Sequence, residues 1–435
     1  MNKRFLEQDA TPARLIQAAA MNHTAWFNMN ATNIGGELHR TDGVKWTESV
    51  EEIVICFPRL KAENADSVLN EIVSKRWSAR IPKASCWTFS DAQPRDLGAR
   101  LMARGFEQGW KPHIMAMDFR NLPKSSILPE GLEIKVEDAA EWNIDDLPYY
   151  GRGDSKKLQR LSSLSPRRFW LFGAWLDGEI AGQSIVFLTT GAYGAAGVYN
   201  VGVRPKFRRR GVATALMTAI CRHSQSLGCN YALLNSAADE FYDSIGFESQ
   251  GWGQTWWMHE KSLNSPPPSP SQIRFAEALC RGDLKTLSEL SASDIPNDLD
   301  ALLLNGHTPM ENVAEAGKAI SADWLISRGA SLQLIQAWDF GWKERFSQLL
   351  AKDPSAINRR SGDWQVTPLH QAVERNSADL VRHLLAFKPD LSVKDSAFHS
   401  TPLGWAKHFG HAEIEALLES AMMEERAKAE SQIEK

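Results

Sequence analysis

One run of the chain, Val198-Tyr199-Asn200-Val201-Gly202-Val203-Arg204-Pro205-Lys206-Phe207-Arg208-Arg209-Arg210-Gly211-Val212-Ala213-Thr214-Ala215-Leu216-Met217, has the residue types that seize an anion. A β-branched strand stops at Pro205 and a turn with three consecutive arginines follows. A helix then begins, with Leu216, Met217 and Ile220 on its apolar face. Unpaired amides at a helix N-terminus converge on a phosphate, the helix dipole adds attraction, and a glycine at Gly211 lets the backbone come close. Arg208, Arg209 and Arg210 add charge at the same point. The turn is neither the GxxxxGK[ST] loop of nucleotide sites nor the GxGxxG of dinucleotide sites. Taken alone, Arg208-x-x-Gly211-x-Ala213 also fits a solvated basic turn, so its surroundings decide.

Those surroundings are strands. Trp170 to Leu176 reads as one strand, Asp177-Gly178 as a hairpin turn, and the segment from Glu179 as a second strand. The uncharged stretch Ala181–Val203 contains many glycines with Gln183, Ser184, Thr189, Thr190 and Asn200. Two strands and a turn explain it better than a spanning helix. Asn230 to Asn235 reads as a further strand, followed by Asn235-x-x-Ala238-x-x-x-Tyr242-x-x-x-Gly246-Phe247, a short helix stopped by glycine.

The Arg208-x-x-Gly211-x-Ala213 turn, the Val203-Arg204-Pro205 before it and the Asn235–Phe247 pattern together resemble the GNAT acetyltransferases over roughly residues 130–262. The resemblance implies that Arg208, Arg209, Arg210, Gly211, Val212, Ala213 and Thr214 bind the pyrophosphate of acetyl-CoA, mostly through backbone amides. It implies that the backbone of Val201 and Val203 pairs with the pantetheine arm as an added strand. Asn235 would hydrogen-bond the cofactor. Tyr242 would be the catalytic acid, protonating the departing thiolate while an amine attacks the thioester. Members of the family often place a carboxylate on the cofactor strand; Ala195–Val203 contains none, so the general base is unassigned. Asp239, Glu240 and Asp243 are expected to be solvated. Trp142, Tyr149 and Tyr150 fit an acceptor pocket and core packing equally well.

The first segment reads as a degenerate copy of the same fold. Ile53–Phe57 resembles a strand, Ala65–Trp77 a helix, and Leu97–Phe106 the terminal helix with its Gly-Phe ending. It has no basic glycine turn and no tyrosine at the acid's position, so it is expected not to bind CoA. Beyond Ser265-Pro266-Pro267-Pro268-Ser269-Pro270-Ser271, an extended spacer, the pattern becomes helical. Thr367-Pro368-Leu369-His370 and Thr401-Pro402-Leu403-Gly404 each open a helical pair and resemble ankyrin repeats; Thr308-Pro309-Met310-Glu311 resembles a degraded earlier copy. The unit around Trp338–Leu350 must be irregular, and Arg274–Leu290 suits a capping repeat.

The expected architecture is therefore a degenerate GNAT-like domain at 1–122, a GNAT domain at 128–262, a linker at 263–271, ankyrin repeats at 272–424 and a charged tail at 425–435. The fold class is α/β, a mixed sheet flanked by helices and built in tandem, plus an all-α solenoid. Forty-nine basic against fifty-three acidic residues leave a net charge of −4, which gives no reason to expect nucleic acid or an anionic membrane as partner. Cys56, Cys86, Cys221, Cys229 and Cys280 are scattered without metal-ligand spacing, so no metal is expected and a reducing cytoplasm fits best. The N-terminus lacks the pattern of a signal peptide. The leading reading is an N-acetyltransferase using acetyl-CoA on a primary amine, with a protein partner on the repeats. The alternative is a non-catalytic CoA-binding or ankyrin-repeat interaction protein.

Overall fold

The computed structural model describes residues 4–122, 128–138, 146–147, 155–236 and 239–433. Trp142, Tyr149, Tyr150 and Ala238 lie outside the described residues. Two compact units form, Met1–Arg274 with Leu304–Gly306, and Phe275–Leu303 with His307–Lys435.

The first unit contains helix α1 (Pro12–Asn33), strands β1 (Glu37–Thr41), β2 (Val44–Glu48) and β3 (Glu52–Cys56), helix α2 (Ala65–Ser78), β4 (Lys83–Phe89), α3 (Leu97–Ala103), β5 (Glu107–Gln108) and β6 (His113–Asp118). It continues with β7 (Leu132–Glu137), α4 (Ser155–Ser162), β8 (Phe169–Leu176), β9 (Glu179–Leu188) and β10 (Ala196–Val203). Helix α5 (Val212–Ser226), β11 (Tyr231–Ser236), α6 (Asp239–Ser244) and β12 (Glu248–Met258) complete it. The sheet runs β1-β2-β3-β4-β12-β6-β11-β10-β9-β8-β7, with β5 beside β12. Among the named strands, β3/β4 and β10/β11 pair parallel and the other described pairs are antiparallel.

The two sequence segments do not build two separate sheets. β6, from the first segment, pairs with β11 over Tyr231–Ser236, while the second half of β12 crosses to pair with β4 over Gly253–Met258. A register shift between Ser249 and Gly251, with Gly251 at φ 143°, lets β12 leave β6 and enter beside β4. A fragment of residues 128–264 would expose β11 and most of β12 as unpaired edges. It is expected to be insoluble, whereas residues 1–264 fold, as circular dichroism and size-exclusion chromatography of the two fragments would show.

Strand alternation sorts the side chains to two faces. Phe172, Val186, Leu188, Val198 and Leu234 pack with Val212, Leu216 and Ile220 of α5. Phe169, Leu171, Ile185, Phe187 and Tyr199 face the other way, against Met29 and Trp26 of α1. The Asp177-Gly178 turn has positive φ at both residues, 53° and 80°, as a two-residue hairpin requires.

In the second unit, helices pair as α7 (Pro270–Arg281) with α8 (Leu284–Glu289), α9 (Pro309–Glu315) with α10 (Ala319–Ile326), and α11 (Leu334–Asp339) with α12 (Lys343–Lys352). The series ends with α13 (Pro368–Glu374) and α14 (Ala378–Leu385), then α15 (Pro402–Phe409) and α16 (Ala412–Ile433), the last running on through the charged tail. The threonines cap as their sequence position suggests. Thr308 forms a capping box with Glu311, Thr367 accepts from the His370 amide, and Thr401 from the Gly404 amide. The His370 ring also reaches the Ser400 carbonyl at 3.1 Å, tying one repeat to the next. The irregular unit before Thr367 gains a 3-10 turn, Pro354–Asn358. No helix among the described residues is long and apolar enough to cross a membrane.

Candidate active site

The backbone of the arginine turn has the geometry of an anion nest. Arg209 and Gly211 both have positive φ, 58° and 76°, so successive amides turn toward one side, the arrangement that makes a nest for an anion. Between Arg208 and Ala215, no backbone amide finds a carbonyl among the described residues; Ala215 is the first, bonding Gly211 O at 3.0 Å. The first turn of α5 carries no carboxylate. Arg208, Arg209 and Arg210 are exposed, and Arg210 stands 4.0 Å from Asp177. Arg204 behaves differently. It is buried, donates to Asp146 at 2.7 Å, Glu179 at 2.8 Å and the Ile180 carbonyl at 2.9 Å, and so anchors the turn rather than facing a ligand.

β10 and β11 part just before this turn. They are hydrogen-bonded only through Ala196↔Ala232 and Gly197↔Leu233, although β10 runs on to Val203. The register of β10 on β9 shifts between Tyr199 and Gly202, where Asn200 has φ 53°. A bulge there increases the local twist and turns the strand away from β11. Val201 and Val203 thus lie beyond the last residues that pair with β11. The first segment shows the contrast. Its parallel pair β3/β4 is hydrogen-bonded from Glu52↔Lys83 to Cys56↔Trp87, so no gap opens for an added strand.

Across the parting strands lies a buried polar chain that sequence reasoning did not find. Asn235 Nδ2 donates to His23 Nε2 at 3.3 Å, which places the ring hydrogen on Nδ1. His23 Nδ1 lies 3.4 Å from the Tyr199 hydroxyl, and that hydroxyl donates to Asn22 Oδ1 at 2.7 Å. Asn22 Nδ2 donates in turn to Phe187 O, Thr189 Oγ1 and Ala195 O, each at 3.1 Å. At the other end, Asn235 Oδ1 is buried and has no hydrogen-bond partner among the described residues. A β-carbon at Gly197 would sit 2.0 Å from Asn22 Oδ1, so only glycine admits this contact. The signal available in the sequence was a polar Asn22-His23 pair following the small, apolar Ala18-Ala19-Ala20-Met21.

Burial lowers the His23 pKa to about 3, so the ring is neutral near pH 7. The unfolded chain, with His23 near 6.5, binds this proton more readily than the folded one between those two values. Stability should therefore fall as pH drops below 6.5, by about 1.4 kcal/mol per pH unit from this residue. Urea unfolding at pH 6.5 and 5.0 is expected to show about 2 kcal/mol more loss in the wild type than in His23→Gln.

Tyr242 is half-buried on α6, with its ring edge-to-face on Phe241 at 4.9 Å and Phe247 at 5.7 Å. With Val201 and Val203 it borders the core cluster that contains Val212 and Leu216 of α5. Glu240 and Asp243 are exposed; the Asp239 side chain lies outside those described. The first segment closes the same way. Phe106 N bonds Leu101 O, as Phe247 N bonds Tyr242 O, but the fully buried Leu101 stands where Tyr242 stands. All five cysteines are free and buried, and burial pushes Cys56, Cys221, Cys229 and Cys280 up to about 12, too high for a thiolate nucleophile. On the β1–β2 hairpin, Glu37, His39 and Glu48 bring ligand atoms within 4.8 Å of one another. Linear spacing hides this set because Glu37 and Glu48 meet only across the hairpin.

Comparison with known proteins places families on two segments. Residues 136–247 match the acetyltransferase (GNAT) family and residues 349–403 match ankyrin repeats (many copies). No curated protein matches. Among solved structures, a GCN5-related N-acetyltransferase from Kribbella flavida is 17% identical, covering 55% of this chain and 95% of its own, with a TM-score of 0.40. A tandem GNAT protein from the clavulanic acid biosynthesis pathway is 12% identical, covering 61% of this chain and 99% of its own, at 0.40. A GCN5-related N-acetyltransferase from Sphaerobacter thermophilus is 15% identical, covering 54% and 78%, at 0.33.

Proposed function

We propose, from the GNAT domain that residues 136–247 form, that this protein transfers an acetyl group from acetyl-CoA to a primary amine. One observation carries the reading. The parting of β10 from β11 leads directly into the amide-rich turn Arg209–Gly211. A strand edge without a partner suits the pantetheine amides, and a nest of free N–H groups suits the diphosphate.

In this reading, Arg208, Arg209, Arg210, Gly211, Val212, Ala213 and Thr214 hold the pyrophosphate, and Val201 and Val203 pair with the pantetheine arm. Asn235 Oδ1, buried and without a partner among the described residues, accepts one N–H of the bound cofactor, and His23 fixes the amide that presents it. Acetyl-CoA supplies an activated acyl group. The amine nitrogen bonds to the thioester carbonyl carbon, the C–S bond breaks, and Tyr242 gives its hydroxyl proton to the departing sulfur. The amine's own proton leaves through water, or the amine arrives neutral; His23, near pKa 3, is too weak a base to take it.

The ankyrin repeats at 349–403 would bind a protein partner or hold a protein acceptor. The five buried free thiols fit a reducing cytoplasm. The competing reading, a CoA-binding protein without turnover, draws on the lack of any carboxylate between Ala195 and Val203. A thiol-release assay with acetyl-CoA and a panel of small amines, polyamines and lysine peptides separates the two. Amine-dependent release supports the enzyme, and saturable CoA binding without release under every amine supports the alternative.

A further inference from the structure

A cavity of about 770 Å³ opens at the opposite end of α5 from the arginine turn. Its apolar wall is made by Phe5, Trp170, Leu188 and Leu227, and its polar lining includes Arg4, Arg167, Arg168 and Thr190. This volume is typical of a small-molecule site. Leu227 caps the C-terminus of α5 and Gly211 its N-terminus, so 15 residues of helix, about 22 Å, separate the cavity from the turn. Phe5, Trp170 and Leu188 also belong to the α5 side of the sheet, whereas His23 and Tyr199 lie on the α1 side.

The cavity is held in place rather than formed by loose side chains. The amide of Gly191 bonds Arg4 O at 2.9 Å, Leu6 N bonds Gly194 O at 2.8 Å, and Asn230 Nδ2 bonds Leu6 O at 2.7 Å. The first two bonds lash residues 4–6 to the β9–β10 connection, and the third ties them to the loop between α5 and β11. Arg167 donates to Phe169 O at 3.1 Å, lies 5.5 Å from the Trp170 ring and pairs with exposed Asp138 at 2.9 Å. Arg4 and Arg168 have no ion pair among the described residues. The positive field reaches the interior: His223, edge-on to Trp170, is held below its ordinary pKa first by burial and then by the charge of Arg167.

We propose that this cavity is a binding site, separate from the acetyl-transfer site, for an amphipathic organic anion. An aromatic or branched apolar body would lie against Phe5, Trp170 and Leu188, and a carboxylate, sulfonate or phosphate would meet Arg4 and Arg168. Planar guanidinium groups suit such heads, and two of them carry no competing carboxylate. The apolar wall selects against small inorganic anions.

The test uses the full chain and 1-anilinonaphthalene-8-sulfonate as probe, titrated by fluorescence, with neutral N-phenyl-1-naphthylamine and inorganic phosphate as the other arms. The sulfonate should bind saturably, and at least about tenfold more tightly than either comparison compound. A double variant, Arg4→Ala with Arg168→Ala, should weaken it about tenfold or more; Thr190→Trp, which fills the mouth without removing charge, should do the same. Thermal melts confirm that each variant is folded. Affinity within twofold of wild type in the double arginine variant overturns the proposal, and so does equal affinity for the neutral naphthylamine.

Discussion

Gly211→Val is expected to weaken acetyl-CoA binding at least about 100-fold, with little change in the melting temperature of the rest of the sheet. Two effects act at this position. The backbone is left-handed, φ 76°, a region that β-branched residues enter only at a cost of about 1–3 kcal/mol. A β-carbon would also sit 3.1 Å from Pro129 Cγ, so either the proline or the turn must shift by a few tenths of an ångström. Either way, the amides from Arg209 to Thr214 lose their common direction. Since 1.4 kcal/mol is a factor of ten, the two effects together reach the stated loss. Gly211→Ala should fall between, because it adds the contact without the branching. Calorimetric titration with acetyl-CoA checks both variants, and unchanged affinity in Gly211→Val rejects the assignment of the turn.

Tyr242→Phe is expected to lower kcat by about 10²–10⁴-fold while leaving acetyl-CoA affinity within twofold. Phenylalanine keeps the ring contacts with Phe241 and Phe247, so the local fold survives and only the proton donor is lost. An unaltered rate with the best amine found would remove Tyr242 from the mechanism.

Much of the local structure around the candidate site was legible because its parts are local. A strand ending at Pro205, a glycine before a helix and a Gly-Phe stop each depend on a few adjacent residues, and the helix α5 and hairpin Asp177-Gly178 form where expected. The threonine caps of the repeats are local in the same sense. What escaped was long-range. His23 meets Asn235 across 212 positions, and Asn22 meets Tyr199 across 177. Nothing in the spacing of an alanine-rich helix says which strand it will cross. The exchange of β6 and β12 is equally non-local: each strand alternates correctly whichever neighbour it has, so the linear pattern does not disclose that the two segments share one sheet. The splay of β10 from β11 depends on a bulge at Asn200, a residue whose left-handed backbone the sequence permits without requiring.

In the proposed function, one splayed strand pair and one nest of amides bind acetyl-CoA, while the closed pair β3/β4 cannot. Isothermal titration of the whole protein with CoA, beside pantetheine lacking the diphosphate, tests this directly. Saturable binding of one CoA per chain is expected, with at least about 100-fold weaker binding of pantetheine. Two equivalent sites, equal affinity for the two compounds, or no saturable binding of CoA would contradict it.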